Sequence, residues 1–91
     1  MHKVVFSPNA ENDLHSIYDF IALDDPIYAQ RVTEAIVSTT MQLAYFPAMG
    51  TALSQSSRMV VEPTFRYTVI YRVYDDVVYI STISKYKNRV S

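Results

Sequence analysis

Residues 65–84, FRYTVIYRVYDDVVYISTIS, form the stretch of the chain that decides the fold. β-Branched and aromatic residues fill two runs on either side of Asp75 and Asp76. Such runs are typical of two strands, and two acidic residues between them are typical of a tight turn. The stretch therefore predicts a β-hairpin.

Side chains alternate between the two faces of a strand, so the predicted hairpin has two distinct faces. A two-residue turn pairs Val73 with Val78 and Tyr71 with Ile80, and the apolar face then continues through Thr82. A type I′ turn needs positive φ at both central residues, which suits Asp-Asp poorly, and a longer loop would change this register. The opposite face is predicted to carry Ile70, Tyr74, Tyr79 and Ile83. Because the second strand is apolar on both faces, we expect it to lie inside a sheet.

Two helices are predicted upstream of the hairpin. Ser7 and Asp25 each stand directly before a proline, and this order places a capping side chain before a favourable first helical residue. Apolar residues recur at spacings of three and four after each proline, to about Leu23 in the first helix and about Tyr45 in the second. The junction is very short, so we expect an antiparallel helical hairpin.

Residues 3–6 and 58–62 are short apolar runs that predict two further strands. The element order is β-αα-βββ, an α+β fold in which residues 1–91 form one domain. We expect a mainly antiparallel four-stranded sheet with the helical hairpin packed on one face. A chain of this length has nothing left to cover the other face, and an exposed apolar face marks a partner site.

The composition excludes several kinds of site. The chain has no cysteine, which excludes a disulfide framework and a thiolate metal site. His2 and His15 are isolated, so neither metal binding nor base catalysis is predicted, and no cofactor is expected. No apolar run approaches the roughly 18 residues that would span a bilayer, and the first residues lack a signal-peptide pattern. We expect a cytoplasmic protein with no membrane partner.

Charge is distributed unevenly along the chain. Residues 1–57 hold two basic and six acidic residues, a net charge of −4, whereas residues 58–91 hold six basic and three acidic residues, a net charge of +3. The basic half predicts an anionic partner at the sheet and tail, although ordinary solvated strand charges would give the same pattern.

Three segments taken together resemble the RelE/ParE superfamily of type II toxin–antitoxin toxins: AENDLHSIYDFIALDDP, FPAMG and RMVVEPTFRYTVIYRVYDDVVYISTIS. The resemblance covers nearly the whole chain. It implies the fold described above and a co-expressed antitoxin that wraps the toxin in a hetero-oligomer. We expect this antitoxin on the open sheet face, at Ile70, Tyr74, Tyr79 and Ile83, and on the outer sides of the helices.

The resemblance implies two competing activities. The RelE branch consists of ribosome-dependent messenger-RNA endonucleases, and the ParE branch, which includes plasmid stabilisation proteins, consists of DNA gyrase poisons without nuclease chemistry. When YTVIYRV is laid on the family motif, the arginine expected of a nuclease falls on Thr68. Loss of such cations argues against RNA cleavage and favours the ParE-like branch, so we assign no catalytic residue. A degenerate, non-toxic binding partner is the remaining alternative.

Basic residues of the strands and tail are the candidates for contact with the target. Tyr86 lies between two lysines and is included with them. The predicted target-binding residues are Arg58, Arg66, Arg72, Lys85, Tyr86, Lys87 and Arg89.

Overall fold

The structure is a computed structural model that describes residues 1–85. Its helices and strands follow the predicted order with one addition. They are β1 (Lys3–Phe6), α1 (Pro8–Ala22), α2 (Pro26–Gln42), β2 (Thr51–Ala52), β3 (Ser57–Val61), β4 (Tyr67–Tyr74) and β5 (Val77–Lys85). Both predicted helix starts are confirmed. Ser7 Oγ accepts a hydrogen bond from the Ala10 N–H, and Asp25 accepts from two N–H groups in the first turn of α2.

The sheet has the strand order β1-β5-β4-β3-β2. Every pair is antiparallel except β1 with β5, which is parallel; a parallel pair needs a long connection, and α1 and α2 are part of it here. The prediction of four strands is wrong, since the two-residue β2 adds a fifth at the edge. Its residues lie in a polar stretch without alternation, so no sequence pattern indicates it. The predicted interior position of β5 is confirmed.

The register of the central hairpin is the predicted one near the turn. Val73 pairs with Val78 and Tyr71 with Ile80, which leaves a two-residue turn. Among the described residues, Asp75 in this turn and Arg66 before β4 are the two non-glycine residues with positive φ, 49° and 65°. The turn is therefore not type I′, which would need positive φ at both central residues.

A β-bulge changes the register farther from the turn. Tyr71 pairs with Ile80 but Ile70 pairs with Thr82, so Ser81 is an extra residue in β5. One extra residue reverses the faces of all residues that follow it. The prediction that the apolar face continues through Thr82 is wrong, and so is the placement of Ile83 on the opposite face. Ile83 is 3% exposed and lies in the core.

Helices α1 and α2 pack together on one face of the sheet, as predicted. The core between the two layers includes Val32 and Ile36 from α2 and Tyr71 and Ile80 from the central hairpin, all at most 1% exposed. None of the helices in the described part of the chain has the length and apolarity needed to cross a membrane.

Candidate partner-binding surfaces

The face of the sheet opposite the helices is uncovered by the described part of the chain, and we call it the open face. The strand register places Val5, Tyr79 and Arg72 side by side across it, and Thr82, Ile70 and Met59 in the next row. Most of these side chains are half-buried by their neighbours within the sheet, while Tyr74 at the rim is 51% exposed. As far as residues 1–85 are concerned, the open face is thus a largely apolar surface without a covering layer.

The predicted antitoxin-binding residues divide between two faces. Ile70, Tyr74 and Tyr79 lie on the open face, because they alternate with core residues along β4 and β5. Ile83 does not, since the bulge at Ser81 turns it toward the helices. The structure therefore brings three of the four residues together.

Arg58 binds backbone carbonyl groups of its own chain. Its Nη2 donates to the carbonyl oxygens of Ala48 at 3.0 Å and Gly50 at 2.6 Å. Its Nε is buried and has no hydrogen-bond partner among residues 1–85. These contacts hold the loop after α2 against β3, so this guanidinium is committed to the fold.

Lys85 is also held by neighbouring groups of the same chain. Its Nζ donates to the carbonyl oxygen of Phe65 at 2.7 Å and lies 4.7 Å from the centre of the Tyr67 ring. Burial raises the pKa of the Tyr67 phenol above its ordinary value, and the neighbouring phenol of Tyr28 adds to that rise. The Lys85 ammonium is thus tied to the end of the sheet where β5 leaves the core.

Two other predicted target-binding residues are exposed. Arg72 lies on the open face, where its Nη1 is 3.4 Å from the phenol oxygen of Tyr74. Arg66 stands at the turn between β3 and β4, where its backbone N–H donates to the carbonyl oxygen of Glu62. Tyr86, Lys87 and Arg89 lie outside the described residues.

The basic side chains of the sheet do not converge. Arg58 pairs across the strands with Tyr71, and Lys85 with Tyr67, four residues away along β4. At the rise of a β-strand this separates their backbones by about 13 Å. Arg72 faces the opposite side of the sheet. Within residues 1–85, no group of three or more histidine, aspartate or glutamate side chains could hold a metal ion.

The loop between α2 and β2 is a feature that the residue pattern did not predict as a site. Tyr45 and Phe46 are 66% and 65% exposed, and Met49 is 42% exposed. The hydroxyl of the buried Tyr71 donates to the carbonyl oxygen of Pro47 and accepts from the N–H of Gly50. The single glycine of the chain, in FPAMG, is the sequence signal that could have indicated a close backbone approach here.

Comparison with known proteins agrees with this architecture. The family model described as ParE toxin of type II toxin–antitoxin system, parDE, matches residues 4–88. The fold is similar to that in a chromosomal ParDE toxin–antitoxin system from P. aeruginosa, with 21% identity and a TM-score of 0.82 over 96% of this chain and 98% of that chain. A search of curated proteins gives no match.

Two further solved structures share the fold. The intact RelBE toxin–antitoxin complex of E. coli matches with 14% identity and a TM-score of 0.69, over 97% of this chain and 100% of that chain. The YoeB dimer of Staphylococcus aureus matches with 17% identity and a TM-score of 0.61, over 96% and 98% of the two chains. Since the family model spans nearly the whole sequence, this chain belongs to the ParE toxin family of type II toxin–antitoxin systems.

Proposed function

We propose that this protein is a toxin that acts in the cytoplasm by poisoning DNA gyrase, has no enzymatic activity of its own, and is neutralised by a cognate antitoxin. The observation that carries the choice of gyrase over RNA is the separation of the basic side chains of the sheet. Arg58 and Lys85 stand opposite positions of β4 that are about 13 Å apart, and each binds backbone carbonyl groups of its own chain, while Arg72 lies on the other face.

Cleavage of RNA by its own 2′-hydroxyl requires a base, an acid and cations that meet around one phosphate. In residues 1–85 the cations nearest to the sheet are dispersed, and Thr68 occupies the strand position at which the nuclease branch would place an arginine. A donor missing from such a site costs about 3 kcal/mol of transition-state stabilisation. This arrangement supports a toxin that acts by binding.

The open face is the proposed antitoxin site. Ile70 and Tyr79 lie in adjacent rows of this face, with Tyr74 at its rim, and together they offer an apolar surface to an extended or helical segment. The P. aeruginosa and E. coli structures are described as a toxin–antitoxin system and a toxin–antitoxin complex, which supports a partner of this class.

Target contact is proposed for the exposed cations. Arg72 and Arg66 are exposed in the structure, and Lys85 begins the basic tail that continues through Tyr86, Lys87 and Arg89. Arg58 is the remaining predicted contact, and its hydrogen bonds with the loop support a role in holding that loop in place. An acidic protein surface or DNA phosphate is the partner chemistry that these charges would meet.

The experiment compares the two targets with the same purified protein. We expect the toxin, released from its antitoxin, to inhibit gyrase supercoiling and to leave cleaved DNA, and addition of the antitoxin to reverse both effects. Ribosome-bound messenger RNA should remain uncut in a primer-extension assay. Codon-position cleavage of messenger RNA with intact chromosomal DNA would refute the proposal and assign the protein to the nuclease class. Absence of toxicity on induction would assign it to the class of non-toxic binding partners.

A further inference from the structure

The loop formed by residues 45–50, YFPAMG, is attached to the sheet by an unusual number of side-chain contacts. Tyr71 donates its hydroxyl to the carbonyl oxygen of Pro47 at 2.8 Å and accepts from the N–H of Gly50 at 3.1 Å. Arg58 donates to the carbonyl oxygens of Ala48 at 3.0 Å and Gly50 at 2.6 Å. Arg58 and Tyr71 are direct cross-strand partners, so one pair of side chains makes all four hydrogen bonds.

Gly50 completes the attachment by allowing close packing on β3. A Cβ atom at this position would lie 2.4 Å from the carbonyl oxygen of Met59 and 2.9 Å from the phenol oxygen of Tyr71. Contacts this short are excluded for a real side chain, so the loop can lie here because residue 50 is glycine. The backbone of the 45–50 loop is therefore fixed in place by the sheet beneath it.

The side chains of the same loop point away from the protein. Phe46 is 65% exposed, Tyr45 is 66% exposed and Met49 is 42% exposed. A fixed backbone that holds large apolar side chains in water gives no packing benefit to the free protein. It does lower the cost of binding, because a backbone that is already ordered loses less entropy on association.

The charge pattern indicates what kind of partner the loop can meet. Residues 35–57 contain no charged side chain, and the loop lies within this segment. Nucleic-acid binding depends on neutralising phosphates with lysine and arginine, which residues 45–50 do not include, and the neighbouring Arg58 is bound to carbonyl oxygens of the loop. Aromatic residues and methionine without charge are typical of the buried centre of a protein–protein interface.

We propose that the 45–50 loop inserts Phe46 and Met49 into a preformed apolar pocket of the folded protein that the toxin attacks. The inference rests on the proposed function in requiring a toxin with a folded protein target, but it does not require that this target be DNA gyrase. A projecting, preorganised loop fits a concave surface, which a folded target offers and a wrapping antitoxin segment does not. The proposed antitoxin site is the open face. It lies on the other side of the sheet from the side chain of Tyr71, which supports the loop.

The test uses the double variant Phe46→Ala/Met49→Ala in the full chain, prepared from its complex with the antitoxin. Its control is Leu23→Ala/Ile27→Ala, which removes two apolar side chains near the junction of the helices that are more exposed, at 83% and 69%, than Phe46 and Met49. We expect the loop variant to lose binding to gyrase and DNA cleavage by about tenfold or more. Growth arrest in the absence of the antitoxin should weaken in parallel, whereas the control should bind gyrase and arrest growth as the wild type does. Phe46→Asp, which adds a charge at the same exposed position, should lose at least as much.

Three parallel measurements separate the outcomes. Thermal unfolding and antitoxin affinity of the loop variants should match the wild type, and size-exclusion chromatography should show the same mass. A variant that remains fully active would overturn the inference. An equal loss of antitoxin affinity would assign the loop to the antitoxin, and a changed mass would assign it to a second copy, and either result would also overturn it.

Failure of the proposed function gives a different result. A wild-type protein that arrests growth without affecting gyrase refutes the choice of target, and the loop inference is then decided by growth arrest alone. In that case weaker arrest by Phe46→Ala/Met49→Ala, with the control unchanged, supports the loop. A wild type that neither arrests growth nor binds gyrase overturns both proposals.

Discussion

The carboxylate of Asp13 accepts a hydrogen bond from the backbone N–H of Ile83 at 2.9 Å, and this contact joins helix α1 to β5 immediately after its bulge. Ser7 makes a second contact at the same place, since its Oγ donates to the carbonyl oxygen of Ser81 at 2.8 Å. A bulge leaves ladder groups without their usual partners. Here the start of α1 supplies those partners, which fixes the helix on the strand.

Replacing Asp13 with alanine should destabilise the protein by about 1–3 kcal/mol, because the partly buried N–H of Ile83 would lose its acceptor. Urea denaturation measures this difference. The matched control is Asp19→Ala, an exposed aspartate on the same helix, which makes the same change in side chain and in helix propensity. Equal effects of the two substitutions would show that the contact with Ile83 adds no stability.

Gly50→Ala should destabilise the protein by about 1–3 kcal/mol, since the added methyl would displace either the loop or the backbone of β3. Hydrogen exchange of the amides at residues 47–50 should also become faster as the Tyr71 and Arg58 contacts loosen. The control Ala48→Gly exchanges the same methyl group at an exposed position of the same loop, where the expected change is below about 1 kcal/mol. Unchanged stability of Gly50→Ala would contradict the close packing.

Substitutions on the open face should weaken antitoxin binding without unfolding the toxin. Ile70→Ser and Tyr79→Ser each remove an apolar side chain from the middle of that face, and we expect the affinity to fall about tenfold or more. Calorimetric titration with the antitoxin measures the change. Leu53→Ser, at a 51% exposed position between β2 and β3, is the control and should bind as the wild type does. Full affinity of both sheet variants would place the antitoxin elsewhere.

Ionisation of Tyr67 should lower the free energy of unfolding as the pH rises in the alkaline range. Its pKa in the folded protein is raised above 10.0 by burial and by Tyr28, so the unfolded chain loses this proton first. The stabilisation is complete below a pH of about 10 and is lost as the pH rises through the folded pKa. Tyr67→Phe keeps the ring under Lys85 but removes the phenol, so its stability should decline less between pH values of about 9 and 11. If the free energy of unfolding of Tyr67→Phe and of the wild type declined equally with pH, the alkaline loss of stability would not come from Tyr67.

Several features of the fold could be predicted because their causes are local. Ser7 and Asp25 cap the helices through contacts with residues two or three positions away, and the structure confirms both starts. Alternation of apolar side chains from Tyr67 to Ile80 predicted the register of the hairpin up to the bulge. Such patterns involve residues close together in the sequence, so they can be recognised without the tertiary structure.

The candidate surfaces were predicted in part for the same reason. Ile70, Tyr74 and Tyr79 follow the strand period from the turn, so their common face could be predicted. The position of Ile83 could not, because it depends on the bulge at Ser81, where the backbone is bound by Ser7 and Asp13 from about 70 residues earlier in the chain. The contacts of Arg58 with the loop could not be predicted either. The sequence does not show which basic residue of the strands lies beside the carbonyl groups of the loop.

The sequence by itself determined both helices, four of the five strands and their order, because periodicity, caps and turn residues act over a few positions, and its resemblance to known toxins indicated the family. Tertiary structure alone decided which face Ile83 joins, which arginine is committed to the backbone, and how the apolar side chains of residues 45–50 are held in solvent. Each of these depends on hydrogen bonds between segments distant in sequence, and their partners become neighbours when the helices pack on the sheet and the loop folds onto β3.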